Sequence, residues 1–277
     1  MFKSVGVPSA VSRLAGRLAL VATSVAVAAL VPAGGALADA TAPPGTPTAT
    51  TFDGVPAVGP LFRNGLASRH GCTASVVDSP HGDLILTAAH CVSGTAAGWL
   101  FAPGYDAGGT PYGVWTVTGA YVDPEWISDQ NPIDDVAILS VADQQRDGRS
   151  VAVQDVTGGY VLQQAPRSGT AITDIAYNSG INDQPITCTV PAYYTTGYPS
   201  FNCHGYVGGS SGSPWLSRLS GSGRIAVRGV IGGLHQGGCY EFTSYSSPFG
   251  SNVYHLLGRA AGGQAPDTVP KAGSDGC

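Results

Sequence analysis

The sequence predicts an all-β fold, and three observations carry that reading. Glycine (40) and proline (20) are abundant among the 277 residues and punctuate the chain with turns. Between the turns lie short β-branched and aromatic runs: Cys72–Val77 (CTASVV), Leu84–Ala89 (LILTAA), Val114–Val122 (VWTVTGAYV) and Val136–Val141 (VAILSV), then Ala171–Tyr177, Ile186–Tyr194 and Ile225–Ile231 (IAVRGVI). Runs of this length bounded by Gly, Pro, Asn or Asp read as strands. Only Asn252–Ala260 (NVYHLLGRA) has convincing helical spacing, with Val253, Leu256 and Leu257 on one face, so a single short C-terminal helix is expected.

The first 38 residues stand apart from that pattern. Lys3, Arg13 and Arg17 make a basic start free of acids, Leu18–Leu30 is apolar, and Ala36-Leu37-Ala38 has the small-x-small form of a cleavage site. This reads as a secretory signal peptide over 1–38. The apolar run is shorter than the roughly 20 residues a membrane span needs, so no anchor is expected once the signal is removed. Residues 39–51 (DATAPPGTPTATT) have no apolar period and read as an extended linker or short pro-segment. The folded domain is expected over 52–260, followed by a Gly/Pro-rich tail over 261–277.

Signal removal takes three of the 13 Lys and Arg, leaving 10 against 18 Asp and Glu, a net charge of −8. No basic run remains, which argues against nucleic acid as a partner. Six cysteines in an exported chain (Cys72, Cys91, Cys188, Cys203, Cys239, Cys277) predict three disulfides, which sequence alone allows in about 15 arrangements. Several cysteines adjoin histidines, but none has CxxC or HExxH spacing, so neither a metal nor a cofactor is expected.

The stretch GGSSGSPW (208–215) is either a flexible linker or a tight turn presenting one reactive serine from among Ser210, Ser211 and Ser213. A serine hydroxyl needs a base within hydrogen-bond reach, and that base needs an acceptor on its far nitrogen. Of the six histidines, His90 stands out. The apolar run Leu84–Ala89 delivers it to a turn, small alanines leave room beside it, and Cys91 follows to pin it. For the acceptor, Asp134 and Asp135 both precede the apolar run Val136–Leu139, and Asp135 directly opens it. His70, His81, His204, His235 and His255 are expected at the surface or in supporting positions.

TAAHC (87–91), DDVAIL (134–139) and GGSSGSP (208–214), in that order behind a signal peptide, resemble the three catalytic blocks of the chymotrypsin/trypsin superfamily, in a form nearest its secreted bacterial V8-like branch. The resemblance covers about residues 52–260. It implies two six-stranded antiparallel β-barrels of the chymotrypsin type with a boundary near 145–155, and a secreted, monomeric serine endopeptidase acting on polypeptides. It implies His90 as general base and then acid, Asp135 as its orienting partner and Ser211 as nucleophile. The backbone N–H groups of Gly209 and Ser211 would form the oxyanion hole, each donor supplying roughly 3–4 kcal/mol. Cys72 and Cys91 sit where the family braces its histidine loop. Cys188–Cys203 and Cys239–Cys277 are expected for the remainder, with Cys203–Cys239 as the competing pair.

The chain also departs from the family pattern. Ser210 stands where trypsins carry the aspartate that binds a new N-terminal amine, and no IVGG-like stretch opens the domain, so amine–aspartate activation is not expected. Gly205 stands at the pocket-floor position and Ile231 where glutamate-specific relatives carry a histidine. Gly232, Gly233 and Leu234 are expected to offer backbone groups to an extended substrate. Glu241 would favour a basic side chain if it reaches the pocket, a placement the sequence leaves open. Two rival readings are a catalytically silent binding module and a secreted serine esterase. The intact blocks speak against the first. The absence of GxSxG and of alternating helices speaks against the second.

Overall fold

The computed structural model describes residues 41–277; the signal reading over 1–38 lies outside them. Six antiparallel strands close into a barrel in the order Val58–Phe62, Cys72–Val76, Leu84–Thr87, Ala137–Val141, Trp115–Val122 and Leu100–Phe101, the last pairing back to the first. All but Leu100–Phe101 and Trp115–Val122 are buried along nearly their whole length, and the latter alternates buried and exposed over its first half before burying both faces. This explains why the runs read as continuous apolar stretches rather than as clean alternation.

The second half is less regular than the sequence predicts. A six-stranded sheet and a three-stranded sheet, Tyr193–Thr195, Tyr198–Asn202 and Thr243–Tyr245, enclose a core containing Ile172, Phe201, Tyr206 and Trp215. Its strand ladder does not close, and Val161–Leu162 joins Ile225–Val230 in parallel. Among the described residues the second half is thus a sheet with an open ladder and one parallel pair, within the mostly β fold class that the sequence predicts. Ala192 interrupts the predicted run Ile186–Tyr194, ending one strand at Pro191 and starting another, in the other sheet, at Tyr193. Trp115, Trp126 and Trp215 are fully buried, each stabilising by about 2–3 kcal/mol through burial alone.

Residues 47–51, within the run expected as an extended linker or short pro-segment, make backbone contacts with the folded domain. Thr48 bridges to His204, and Thr50–Thr51 pairs with Ile186 and Thr187 as the edge strand of the six-stranded sheet. The Pro/Thr-rich run carries no apolar alternation because its strand is two residues long and both are exposed. The predicted helix is found over Ser251–Ala261, burying Val253, Leu256 and Ala260. Beyond it the tail is docked, with Asp267 accepting from the Val122 N–H at 2.9 Å and Val269 bridging Gly94. The disulfides are Cys72–Cys91, Cys188–Cys203 and Cys239–Cys277, with Cα–Cα separations of 6.1, 6.7 and 5.5 Å. Cys203–Cys239 is thereby excluded.

Candidate active site

Strand register brings the candidate residues together. Leu84–Thr87 pairs with Ala137–Val141 so that Thr87 faces Ala137. The residues just after Thr87 and just before Ala137 therefore emerge at the same end of the barrel, carrying His90 and Asp135. In the second half, Pro214 faces Val230, so Ser211 and the Gly232–Leu234 segment also emerge together.

His90 sits in the 3-10 turn Ala89–Cys91, clamped by the Cys72–Cys91 bridge and by the Arg63 guanidinium on the Cys91 carbonyl. Its Nδ1 is 2.7 Å from Asp135 Oδ2, and its backbone N–H donates to Asp135 Oδ1 at 2.8 Å. Asp135 is fully buried, and its Oδ2 also accepts from the Gly233 N–H at 2.8 Å. The carboxylate thus holds three donors in an interior that contains no competing water-facing surface, which suits it to fixing the Nδ1–H tautomer. Asp134 points elsewhere, towards Asn131 at 3.1 Å and Asn252 at 2.8 Å. Burial pushes its carboxyl above the usual carboxylate range, and Asn252 partly offsets this.

Ser211 is half-buried and lines a cleft of about 370 Å³ together with His90. Among the described residues its hydroxyl has no hydrogen-bond partner, and the N–H groups of Gly209 and Ser211 have no acceptor. The turn around them is held from behind. Ser211 O accepts from the Thr73 N–H at 2.8 Å, and the Gly212 N–H donates to Ile231 O at 2.7 Å. Gly209 (φ 103°) and Gly212 (φ 81°) are both left-handed, and a Cβ on either would collide with neighbouring atoms, the Ser179 nitrogen for Gly209 and Thr87 Oγ1 for Gly212. The Ser210 hydroxyl donates to Val207 O at 2.8 Å, so this position is satisfied locally and offers no charge for an ammonium.

The supports of the site come from residues far apart in sequence, among them Thr73 and two of the histidines expected at the surface or in supporting positions. Thr73 looked like an ordinary strand residue, yet its hydroxyl donates to Gly209 O at 3.0 Å and accepts from the Tyr177 N–H at 2.9 Å. His70 is buried and pairs with Asp183 at 2.9 Å, bracing the 177–183 segment whose Ser179 N–H reaches Gly208 O. His235 lines the cleft, with its Nδ1 3.0 Å from Asp275 O. No local pattern marks these contacts, because each joins residues distant in sequence.

The predicted substrate-binding glycines fare differently. The Gly232 N–H donates to Tyr245 O at 2.9 Å and the Gly233 N–H to Asp135 Oδ2 at 2.8 Å, so any backbone group these two glycines offer to a substrate is a carbonyl. The Gly205 N–H donates to Glu241 Oε2 at 2.6 Å. Glu241 itself lines the cleft, paired with His204 at 2.7 Å. Slight burial raises its pKa, but the His204 and Gly205 hydrogen bonds outweigh this and hold it below the usual range. Two groups of residues have metal-like proximity, Cys72 with His90 and Cys91, and His235 with Cys239 and Cys277. Both have their cysteines in disulfides, which leaves one histidine apiece as a ligand.

A family profile described as Trypsin matches residues 52–220. Among solved structures, the chain is similar to the protease Anisep from Arthrobacter nicotinovorans (24% identity, TM-score 0.63, covering 78% of this chain and 100% of that one). It is also similar to the thermostable serine protease AL20 from an extremophilic microorganism (21%, TM-score 0.61, covering 76% and 98%). A third similar structure is a Glu endopeptidase (17%, TM-score 0.58, covering 79% and 98%). No curated protein matches. The profile spans more than half of the sequence, and the chain belongs to the trypsin family of serine-type endopeptidases.

Proposed function

We infer that this protein is a secreted, monomeric endopeptidase that cleaves polypeptides with His90, Asp135 and Ser211. The observation that carries the reading is the His90–Asp135 contact of 2.7 Å opening onto the cleft that Ser211 lines. With Nδ1–H donated to Asp135, Nε2 is the basic nitrogen. The Ser211 hydroxyl attacks the scissile carbonyl carbon and its proton passes to His90 Nε2. The resulting oxyanion is received by the N–H groups of Gly209 and Ser211, both free of other acceptors. Collapse breaks the C–N bond, and His90 protonates the departing amine. Water then repeats the sequence on the acyl-enzyme, releasing the new carboxylic acid and the Ser211 hydroxyl.

Three disulfides support export, with residues 1–38 as the removed signal. No helix among the described residues is long and apolar enough to cross a membrane. The neutral Ser210 supports activity without a trimmed amine terminus. Glu241 and Asp275 line the cleft and no Lys or Arg does, which favours neutral or basic substrate side chains over acidic ones. The test is fluorophosphonate labelling of the secreted chain beside Ser211→Ala. Labelling and peptide hydrolysis that both vanish in the variant are expected; equal labelling of the variant would refute the assignment.

A further inference from the structure

Residues 47–52 pair with two separate stretches of the second half. The Ala49 N–H donates to His204 O at 2.9 Å and the His204 N–H to Pro47 O at 2.8 Å, on either side of a parallel bridge between Thr48 and His204. Thr50 and Thr51 then lie opposite Thr187 and Ile186, and the Phe52 N–H donates to Pro185 O at 3.2 Å. The Cys188–Cys203 bridge joins the two stretches beside these contacts. The segment itself buries little. Thr50 and Thr51 are exposed, and Ala49, partly buried, packs on the core that contains Phe201 and Trp215. Its contacts are almost wholly backbone, which fixes where its partners lie more than it adds apolar burial.

Both stretches lead into the turn that carries Ser211. His204 Nδ1 lies 2.7 Å from Glu241 Oε1, and the Gly205 N–H donates to Glu241 Oε2 at 2.6 Å, so the 204–205 backbone sets a carboxylate on the cleft wall. Val207 and Gly208 line the cleft next, and Val207 O accepts from the Ser210 N–H at 3.1 Å. On the other side, Ile186 pairs with Ala176, and the residues after Ala176 meet the turn from behind. Asn178 donates to Gly205 O at 2.8 Å and accepts from the Val207 N–H at 3.2 Å, while the Ser179 N–H donates to Gly208 O at 2.6 Å. Gly209 packs so closely on this segment that a Cβ would collide with the Ser179 nitrogen. Residues 47–52 thus hold, at one remove, the front and the back of the turn that presents Gly209 and Ser211.

We propose that residues 47–52 are a positioning strand of the active enzyme: the turn is held in its competent geometry only while they stay paired with 185–187 and 204, and a cut between Thr51 and Phe52 weakens catalysis. This inference rests on reading the cleft as an endopeptidase site. The segment acts by backbone pairing from within the chain, so it requires no free amine, in keeping with the neutral Ser210 hydroxyl that donates to Val207 O at 2.8 Å. His204 is the direct link, with its backbone bonded to Pro47 and Ala49 and its ring to Glu241. Processing ahead of Pro47 leaves all of these bonds in place. Processing at Phe52 removes every one except that of Phe52 itself to Pro185 O.

The test compares chains that begin at Asp39, at Pro47 and at Phe52, with rates expressed per folded monomer recovered by size-exclusion chromatography. The Pro47 chain, and a chain with extra residues ahead of Asp39, are expected to hydrolyse a peptide substrate within about twofold of the Asp39 chain. The Phe52 chain is expected to lose about tenfold or more in kcat, with fluorophosphonate labelling slowed in proportion. Ala49→Pro in the Asp39 chain removes the N–H that holds His204 O, and tests the same link if the Phe52 chain does not fold. It is expected to lose kcat by about tenfold or more while its thermal midpoint falls by only about 2–4 °C. Ala49→Ser, which keeps the N–H, should match wild type. Wild-type kcat in folded Phe52 chain or in Ala49→Pro would overturn the inference, as would an equal loss in Ala49→Ser or a loss caused by the extra residues. A midpoint in Ala49→Pro low enough to unfold it at the assay temperature would assign the segment to stability and overturn the inference too. Absence of labelling and hydrolysis in the folded Asp39 chain would overturn the endopeptidase reading, and this inference with it.

Discussion

The Ser213 hydroxyl lies 3.0 and 2.9 Å from the two carboxyl oxygens of Asp174, and both residues are completely buried, two positions after Ser211. No cation faces this carboxyl. Burial raises its pKa well above the ordinary carboxylate range, and the Ser213 and Tyr206 hydroxyls offset this only in part. Burial thus favours the neutral acid, whose O–H can donate to Ser213 as well as accept from it. Such an acid binds its proton more tightly when folded than when unfolded. Its contribution to stability is fully present below the unfolded pKa of about 3.9 and declines as pH rises towards the folded value. Asp174→Asn stays neutral throughout. Urea melts are expected to show wild type losing more stability than the variant between pH 4 and 7, by at least about 1 kcal/mol. Parallel curves would show that the carboxyl is ionised in place.

Thr73 ties the first barrel to the oxyanion turn. Thr73→Val leaves Gly209 O and the Tyr177 N–H without their buried partner, at a cost of about 1–3 kcal/mol. Because Gly209 carries one of the free N–H groups, kcat is expected to fall more than KM rises. Thr73→Ser, which keeps the hydroxyl, should restore most of the loss in steady-state assays. Equal damage from both substitutions would assign Thr73 to packing alone.

Gly212 is the tightest point of the turn. In Gly212→Ala the new methyl meets Thr87 Oγ1 and Thr73 O in a left-handed conformation. Overpacking of this kind costs about 1–3 kcal/mol, before the added backbone strain. Reduced labelling by fluorophosphonate and a lower denaturation midpoint are both expected. Gly208→Ala, where a Cβ meets nothing within 4 Å, is the control and should leave stability close to wild type.

Asp135→Asn tests the tautomer argument. The amide can still occupy the buried site, but it no longer favours Nδ1–H on His90. Loss of about four orders of magnitude in kcat is expected, with little change in thermal midpoint. A loss below tenfold would remove Asp135 from the mechanism.

The legible part of this molecule is what chemistry forces into short contiguous blocks. TAAHC, DDVAIL and GGSSGSP each combine a chemical group with the local geometry that presents it, so His90, Asp135 and Ser211 stand out, and strand register then gathers them. The illegible part is long-range. Thr73, His70 and Asp275 act through partners more than 35 residues away, and nothing in their neighbours marks them. Glu241 could not be placed because its position depends on the pairing of 203–206 with 241–242. The parallel pairing of Val161–Leu162 was hidden by its length, since two residues carry no period.

The edge strand Thr50–Thr51 has a consequence for solubility. It occupies the outer side of Ile186–Pro191, whose backbone N–H and C=O groups would otherwise face solvent as an unpaired template. Such edges recruit strands from other chains. A two-residue segment with threonine side chains caps the sheet without offering a long apolar edge of its own. Trimming the chain back to Phe52 would uncover Ile186 and Thr187 and convert a protected margin into an aggregation site. The segment ahead of the catalytic domain thus shields a sheet margin that would otherwise be open to strands of other chains.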